Sequence, residues 1–246
     1  MRFDYTLGGP IGTRATLGLV ALQSDETVEH DLRRQLPLDG VNLHVTRVPS
    51  GLEVSTDTLA EMQATLPAAA ALFPRPARFD AVGYGCTSGT AVIGAAKIAE
   101  LVRSGTVAAQ VTEPVSGLIA ACKALGLRRL ALLSPYVETV SARLRAVLAE
   151  AGVETPVFGS FNEAEEAKVA RIDTASVIAA ARALAAKGGA DALFLSCTNL
   201  RTLDAIGPIE AETGLPVLSS NLVLGWHMAR LGGLDDKGAF GRLWQV

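Results

Sequence analysis

The chain has 246 residues, of which 49% are hydrophobic and 19% charged, and its net charge is −3. That length supports one large domain or two small ones with a sizeable core. The weak negative charge and the 5% aromatic content exclude a surface built for nucleic acid or an anionic membrane.

The opening stretch, MRFDYTLGGPIGTRATLG, has no long apolar region, and no uncharged run approaches a membrane span. No signal peptide is expected, and the expected location is the cytoplasm. Residues 1–15 read as a terminal arm. Apolar strand candidates and Ala/Leu-rich helix candidates then alternate along the chain. In order they are strand Leu17–Leu22, helix Glu26–Gln35, strand Val41–Val48, helix Asp57–Phe73 with a kink expected at Pro67, strand Ala81–Gly85, helix Thr90–Val102, strand Ala108–Val111 and helix Val115–Ala124. The second series is strand Leu130–Leu133, helix Glu138–Ala151, strand Pro156–Phe161, helix Thr174–Lys187, strand Ala192–Ser196, helix Leu203–Thr213, strand Pro216–Leu218 and helix Leu222–Arg230. The last 14 residues read as a second arm.

Alternation of this kind is the signature of parallel sheets covered on both faces. The two series also match each other. LGLVALQSDETVEHDL resembles RRLALLSPYVETVSARL, and GCTSGT resembles SCTNLRT. Glu26-Thr27-Val28 lines up with Glu138-Thr139-Val140, and Cys86-Thr87 with Cys197-Thr198, at nearly the same separation. The pattern implies a duplicated unit. The expected fold is α/β: two similar Rossmann-like three-layer α/β/α domains related by a pseudo-two-fold axis, each with a mainly parallel four-stranded sheet. The boundary is expected near Gly126–Arg128, giving halves 1–126 and 127–246, with the segment from about 220 to 246 able to pack back onto the first half. Facing domains of this kind form a cleft at the carboxyl ends of their strands, where open α/β sheets bind ligands.

The three cysteines, Cys86, Cys122 and Cys197, are odd in number and far apart, which argues against a disulfide framework. His30, His44 and His227 show no metal-ligand spacing, and neither a metal nor a cofactor is expected. Cys122 lies in LIAACKAL and reads as helix core. Cys86 and Cys197 each end a strand candidate and are expected to open a helix, where free N–H groups favour a thiolate. Thr87, Ser88, Thr198 and Asn199 follow them and offer hydroxyl, amide and backbone donors for a carboxylate. The bland alternative makes each Cys a small buried hydrophobe. Two facing thiols suit cofactor-free racemisation, one removing a proton from carbon and the other returning one. They also suit addition of a thiolate to an activated double bond, with rotation and release.

On GCTSGT, SCTNLRT, the LQSDETVE turn and the two-fold layout, the chain resembles the aspartate/glutamate racemase superfamily. The branch it is most like is that of maleate isomerases and arylmalonate decarboxylases, and the turn LQSDETVEHDLRR is similar to racemase-like proteins encoded with ectoine utilisation. The resemblance runs over roughly residues 15 to 232. It implies that Cys86 and Cys197 are the catalytic pair. It also implies that Thr87 and Thr198 bind a substrate carboxylate through backbone N–H groups, and that Tyr136 and Asn162 bind it as well. A racemase or isomerase acting on a small carboxylic or amino acid follows, with maleate isomerisation, arylmalonate-type decarboxylation and a catalytically silent small-acid-binding protein as alternatives. Family members are often dimers or tetramers.

One position departs from the pattern. Maleate isomerases carry an Asn where this chain has Asp25, and an ionised Asp accepts hydrogen bonds but repels a carboxylate. Asp25 would instead suit a substrate with an ammonium or amide N–H, or simply cap the helix that follows. Arylmalonate decarboxylases keep only one of the two cysteines, whereas this chain has both. Among weaker signals, GYGCTSG lacks the third glycine of a dinucleotide fingerprint. NEAEEAK reads as a solvated helix face, Asn162 could equally cap a helix, Arg47 and Arg201 read as surface ion-pair residues, and His227 as a packing residue.

Overall fold

The computed structural model describes residues 1–37, 39–51 and 56–246. Two four-stranded parallel sheets form the frame. The first contains β1 (Ala15–Leu22), β2 (Val41–Val48), β3 (Phe79–Gly85) and β4 (Ala108–Thr112), in the order β2-β1-β3-β4. The second contains β5 (Arg129–Ser134), β6 (Glu154–Ser160), β7 (Ala192–Leu195) and β8 (Val217–Ser219), in the order β6-β5-β7-β8. The second order repeats the first, strand for strand, as the internal sequence match implies. Each sheet reverses its winding between its two central strands, β1 and β3 or β5 and β7. Such switch points open a crevice at the carboxyl ends.

The central strands are apolar on both faces because helices cover both. Leu17, Leu19 and Val20 in β1 and Leu193, Phe194 and Leu195 in β7 are fully buried. The helices are α1 (Val28–Gln35), α2 (Thr56–Ala70), α3 (Thr87–Ile93), α4 (Ala95–Gly105), α5 (Pro114–Leu125), α6 (Glu138–Glu150), α7 (Glu166–Val169), α8 (Thr174–Ala185), α9 (Leu203–Thr213) and α10 (Ser220–Leu231). A 3-10 turn, Arg242–Gln245, follows. Among the described residues no helix is long and apolar enough to cross a membrane.

All eight strands lie within about two residues of their expected ends, but the helices differ from expectation in two places. The helix expected over Thr90–Val102 is two helices. Gly94 breaks it with φ 92°, a conformation that L side chains rarely adopt, and serves as both C-cap of α3 and N-cap of α4. The short α7 was not anticipated, because four helical residues carry too little periodicity to read. The C-terminal arm is ordered onto the core: Leu243 and Trp244 are buried, and Trp244 Nε1 donates to Gln35 Oε1 (3.3 Å). Pro67 lies in the last turn of α2, where its missing N–H removes one rung close to the helix end.

One apolar core runs through both halves, and a smaller one fills the face of the first sheet beneath α2 and α4. Helix α10 follows the last strand of the second sheet but packs on α5, α1 and β3 of the first half. It therefore carries its N-terminal serines, Ser219 and Ser220, into the seam between the two sheets.

Candidate active site

In the first half, the turn after β1 carries Asp25. Its Oδ1 accepts the N–H groups of Thr27 and Val28 (both 2.8 Å), so the side chain ties down the turn that leads into α1, but the N-cap of that helix is Thr27 and not Asp25. Its Oδ2 is buried with no hydrogen-bond partner. Arg47 braces the turn by donating to the carbonyls of Leu22 (2.9 Å) and Asp25 (2.7 Å), and it pairs with Glu29 at 3.3 Å. After β3, Cys86 is the N-cap of α3, and its Sγ accepts the Gly89 N–H at 3.1 Å. Thr87 and Ser88 follow, both buried.

The second half is built differently. Cys197 lies two residues beyond β7 and opens no helix, since α9 starts only at Leu203. The expected helix N-terminus is absent there. Instead, Cys197 has φ 103°, a strained value for a residue with a Cβ. Its N–H donates to Ser220 Oγ (2.9 Å), and its Sγ accepts the Asn199 N–H (3.3 Å). The Sγ also lies 2.9 Å from Tyr136 Oη. The Tyr136 hydroxyl in turn donates to Glu166 Oε1 (2.8 Å), and Asn199 Nδ2 donates to Glu166 Oε2 (2.8 Å).

Several of these groups bridge the halves. Ser220 Oγ accepts from both Thr87 Oγ1 (2.7 Å) and the Cys197 N–H. Thr198 Oγ1 donates to the Gly85 carbonyl at 3.2 Å, Glu26 N–H to Asn199 Oδ1 at 2.8 Å, and Thr27 Oγ1 to the Asn199 carbonyl at 3.0 Å. Asn221 Nδ2, on α10, donates to Asp31 Oδ2 (2.9 Å) and to the Thr198 carbonyl (2.8 Å).

Together these residues enclose a cavity of about 10 Å³, lined by Asp25, Cys86, Thr87, Ser88, Tyr136, Cys197 and Thr198, with Leu22, Glu166 and Asn199. Seven of the eight residues singled out from the sequence therefore meet in one place. The eighth, Asn162, does not. It is exposed, with φ 56°, and its N–H donates to Ser160 Oγ (2.8 Å); Ser160 in turn donates to the Tyr136 carbonyl. It braces the Tyr136 turn from outside the cavity, and it is not the N-cap of α7, which is Glu165.

Glu166 corrects the reading of NEAEEAK as a solvated face. Glu165 is exposed, but Glu166 is 5% exposed and turned inward. Only tertiary contacts with Tyr136 and Asn199 separate it from its neighbours. His227 packs as expected, its Nδ1 2.7 Å from Thr112 Oγ1 and its ring stacked on Trp226.

Electrostatics overturn the expectation of thiolates. Burial pushes the Cys86 thiol up to about 12, and the nearby carboxylates of Glu166 and Asp25 push the same way. Burial, with Glu166 and Asp25 adding to it, holds the Cys197 thiol well above its ordinary range. The Gly89 and Asn199 N–H groups oppose these shifts but do not prevail. Desolvation also raises the carboxyls of Asp25 and Glu166. Both thiols are thus neutral in this closed site. A cavity of this size holds about one water, so a substrate enters only after part of the wall moves.

Comparison with known proteins places this geometry. The sequence model of the arylmalonate decarboxylase family matches residues 94–244. The arylmalonate decarboxylase of Bordetella bronchiseptica is 39% identical over 124 residues, 49% of this chain and 52% of that enzyme, so that match spans about half of its length. The maleate isomerase of Nocardia farcinica is 29% identical over 215 residues, covering 83% of this chain and 84% of the relative. A solved structure of the maleate cis-trans isomerase of Nocardia farcinica, a cysteine-to-serine variant with a covalently bound succinylcysteine intermediate, superposes with TM-score 0.83 at 27% identity, over 94% of this chain and 98% of that one. With a family model matched over more than half of its residues, two repeated parallel sheets and a cysteine at each central strand end, this chain belongs to the arylmalonate decarboxylase family.

Proposed function

We propose that the protein is a cofactor-independent racemase or isomerase of a small carboxylic or amino acid, with Cys86 and Cys197 as its acid–base pair. One observation carries this reading: the two cysteines, from equivalent strand ends of the duplicated halves, line a single buried cavity. One thiolate takes the proton from the carbon beside the substrate carboxylate, leaving an enolate. The other thiol delivers its proton to the opposite face of that carbon. The two cysteines exchange protonation states, and no electrons are gained or lost. The backbone N–H groups of Thr87, Ser88 and Thr198 supply donors around the carboxylate, since the Tyr136 hydroxyl is already given to Glu166. The domain boundary near residue 126, a cytoplasmic location and a homo-oligomeric state belong to the same proposal, as does the link to ectoine utilisation suggested by the Asp25 turn.

The test is proton exchange. The protein is incubated in deuterium oxide with single enantiomers of a panel of amino and 2-substituted carboxylic acids, and loss of the α-proton is followed by NMR. Exchange that disappears in Cys86→Ser and in Cys197→Ser is expected. No exchange across the panel, together with unchanged ligand binding in both variants, would sink the two-thiol reading.

A second reading has its own support. The succinylcysteine in the structural neighbour favours covalent addition of one thiolate to a double bond, with rotation and release, as for maleate. Incubation with maleate and detection of fumarate distinguishes it. Decarboxylation is read in a separate incubation with a substituted malonate, by release of carbon dioxide.

A further inference from the structure

We propose that Glu166 and Asp25 together set the substrate's charge: they exclude dicarboxylates and admit a small acid with one carboxylate and an ammonium or other N–H group. The inference takes the cavity as the substrate site, as proposed above.

Three observations carry it. First, the two carboxylates come from opposite halves, Asp25 from the turn after β1 and Glu166 from α7, and both line the same cavity at 3% and 5% exposure. No Lys, Arg or His lines it among the described residues. The guanidinium of Arg47 serves the carbonyls of Leu22 and Asp25. A substrate with two carboxylates would bring further like charge into a low-dielectric space already holding two acids.

Second, the donors such a second carboxylate would need are already taken. The Tyr136 hydroxyl donates to Glu166 Oε1 and Asn199 Nδ2 to Glu166 Oε2. Third, Asp25 Oδ2 is a buried acceptor without a donor. An N–H group of the substrate would complete it, whereas a carboxylate oxygen brings no donor and would leave it unpaired. The same placement adds to the burial that keeps the thiols neutral: Glu166 and Asp25 both disfavour thiolate at Cys86 and Cys197, and a cation arriving between them relieves that part of the penalty. Charge selection and thiol activation then depend on one pair of side chains.

Calorimetric binding at pH 8 tests this without turnover, using the full chain, Asp25→Asn and Glu166→Gln. Asp25→Asn retains an Oδ1 acceptor for the Thr27 and Val28 N–H groups, and thermal melts confirm folding of each variant. Maleate is expected to bind each variant at least about tenfold tighter than the wild type. Maleate binding the wild type as tightly as both variants overturns the exclusion. In the wild type, 2-aminobutyrate is expected to bind at least about tenfold tighter than butyrate, which lacks only the amino group. Equal binding, or none of either, overturns the N–H requirement. Absent proton exchange would count against the two-thiol chemistry alone, since binding is read independently of it.

Discussion

The two half-sites share a strand order but not a chemistry. Cys86 sits at an ordinary junction, with extended backbone (φ −152°) and a helix starting at the next residue. Cys197 sits at φ 103°, six residues before Leu203 begins the next helix. Cys86 Sγ receives a backbone N–H from its own helix and has the Tyr84 hydroxyl beside it, which turns to Met62, while Cys197 Sγ is in contact with Tyr136 and, through that hydroxyl, with Glu166. Duplication supplies two thiols at equivalent strand ends. Divergence of the loops after them gives each thiol a different partner, which a reaction with distinct donor and acceptor steps can use.

The largest test of this comparison is removal of either thiol. Cys86→Ser and Cys197→Ser are each expected to lower α-proton exchange by about 10²–10⁴-fold. Loss confined to one variant would break the symmetric part of the reading. Tyr136→Phe removes the hydroxyl that joins Cys197 to Glu166 and is expected to lower kcat by about 10²-fold. If the halves are unequal, its effect on alkylation should be specific to Cys197. Iodoacetamide labelling resolved by mass spectrometry reads that, and an equal change at Cys86 would count against it.

A stability prediction concerns the polar link from α1 to the second half. Burial raises Asp31 from 3.8 to about 6, partly offset by the hydrogen bond from Asn221. Because the folded pKa is above the unfolded one, the folded state holds this proton more tightly. The resulting stabilisation is full below about pH 4 and is lost as pH rises through about 6. The unfolding free energy of the wild type relative to Asp31→Asn is therefore expected to fall by about 2 kcal/mol between pH 4 and pH 7. Urea titrations at both pH values measure it, and a flat difference would remove Asp31 from the account. The smallest expected effect is that of Ser220→Ala. It leaves the buried Cys197 N–H without its acceptor and unties Thr87 from the seam, for a loss of about 1–2 kcal/mol. A shift in the urea midpoint checks it.

Much of this was legible in the sequence because it rests on local pattern. The eight strands show as short apolar runs, since strands buried on both faces need no alternation. The duplication shows in the repeated Cys-Thr and Glu-Thr-Val segments. Asp25 as an acceptor for the N–H groups entering α1 follows from its place just before that helix, although Thr27 is the N-cap itself. The break at Gly94 was less visible, because the helical pattern continues on both sides of it and a single glycine does not announce its φ.

What the sequence by itself determined is the α/β class, the two-fold repeat and the two strand-end thiols, all of them consequences of periodicity and residue type. Tertiary structure alone decided the rest. It turned Glu166 inward while leaving Glu165 in water, brought Ser220 of α10 between Thr87 and Cys197, and left Asn162 outside the cavity. It also reversed the expected ionisation of the cysteines. A helix N-terminus stabilises a thiolate over one turn, but burial in a site that also holds two carboxyl groups outweighs it, and that burial exists only once both halves have closed on each other.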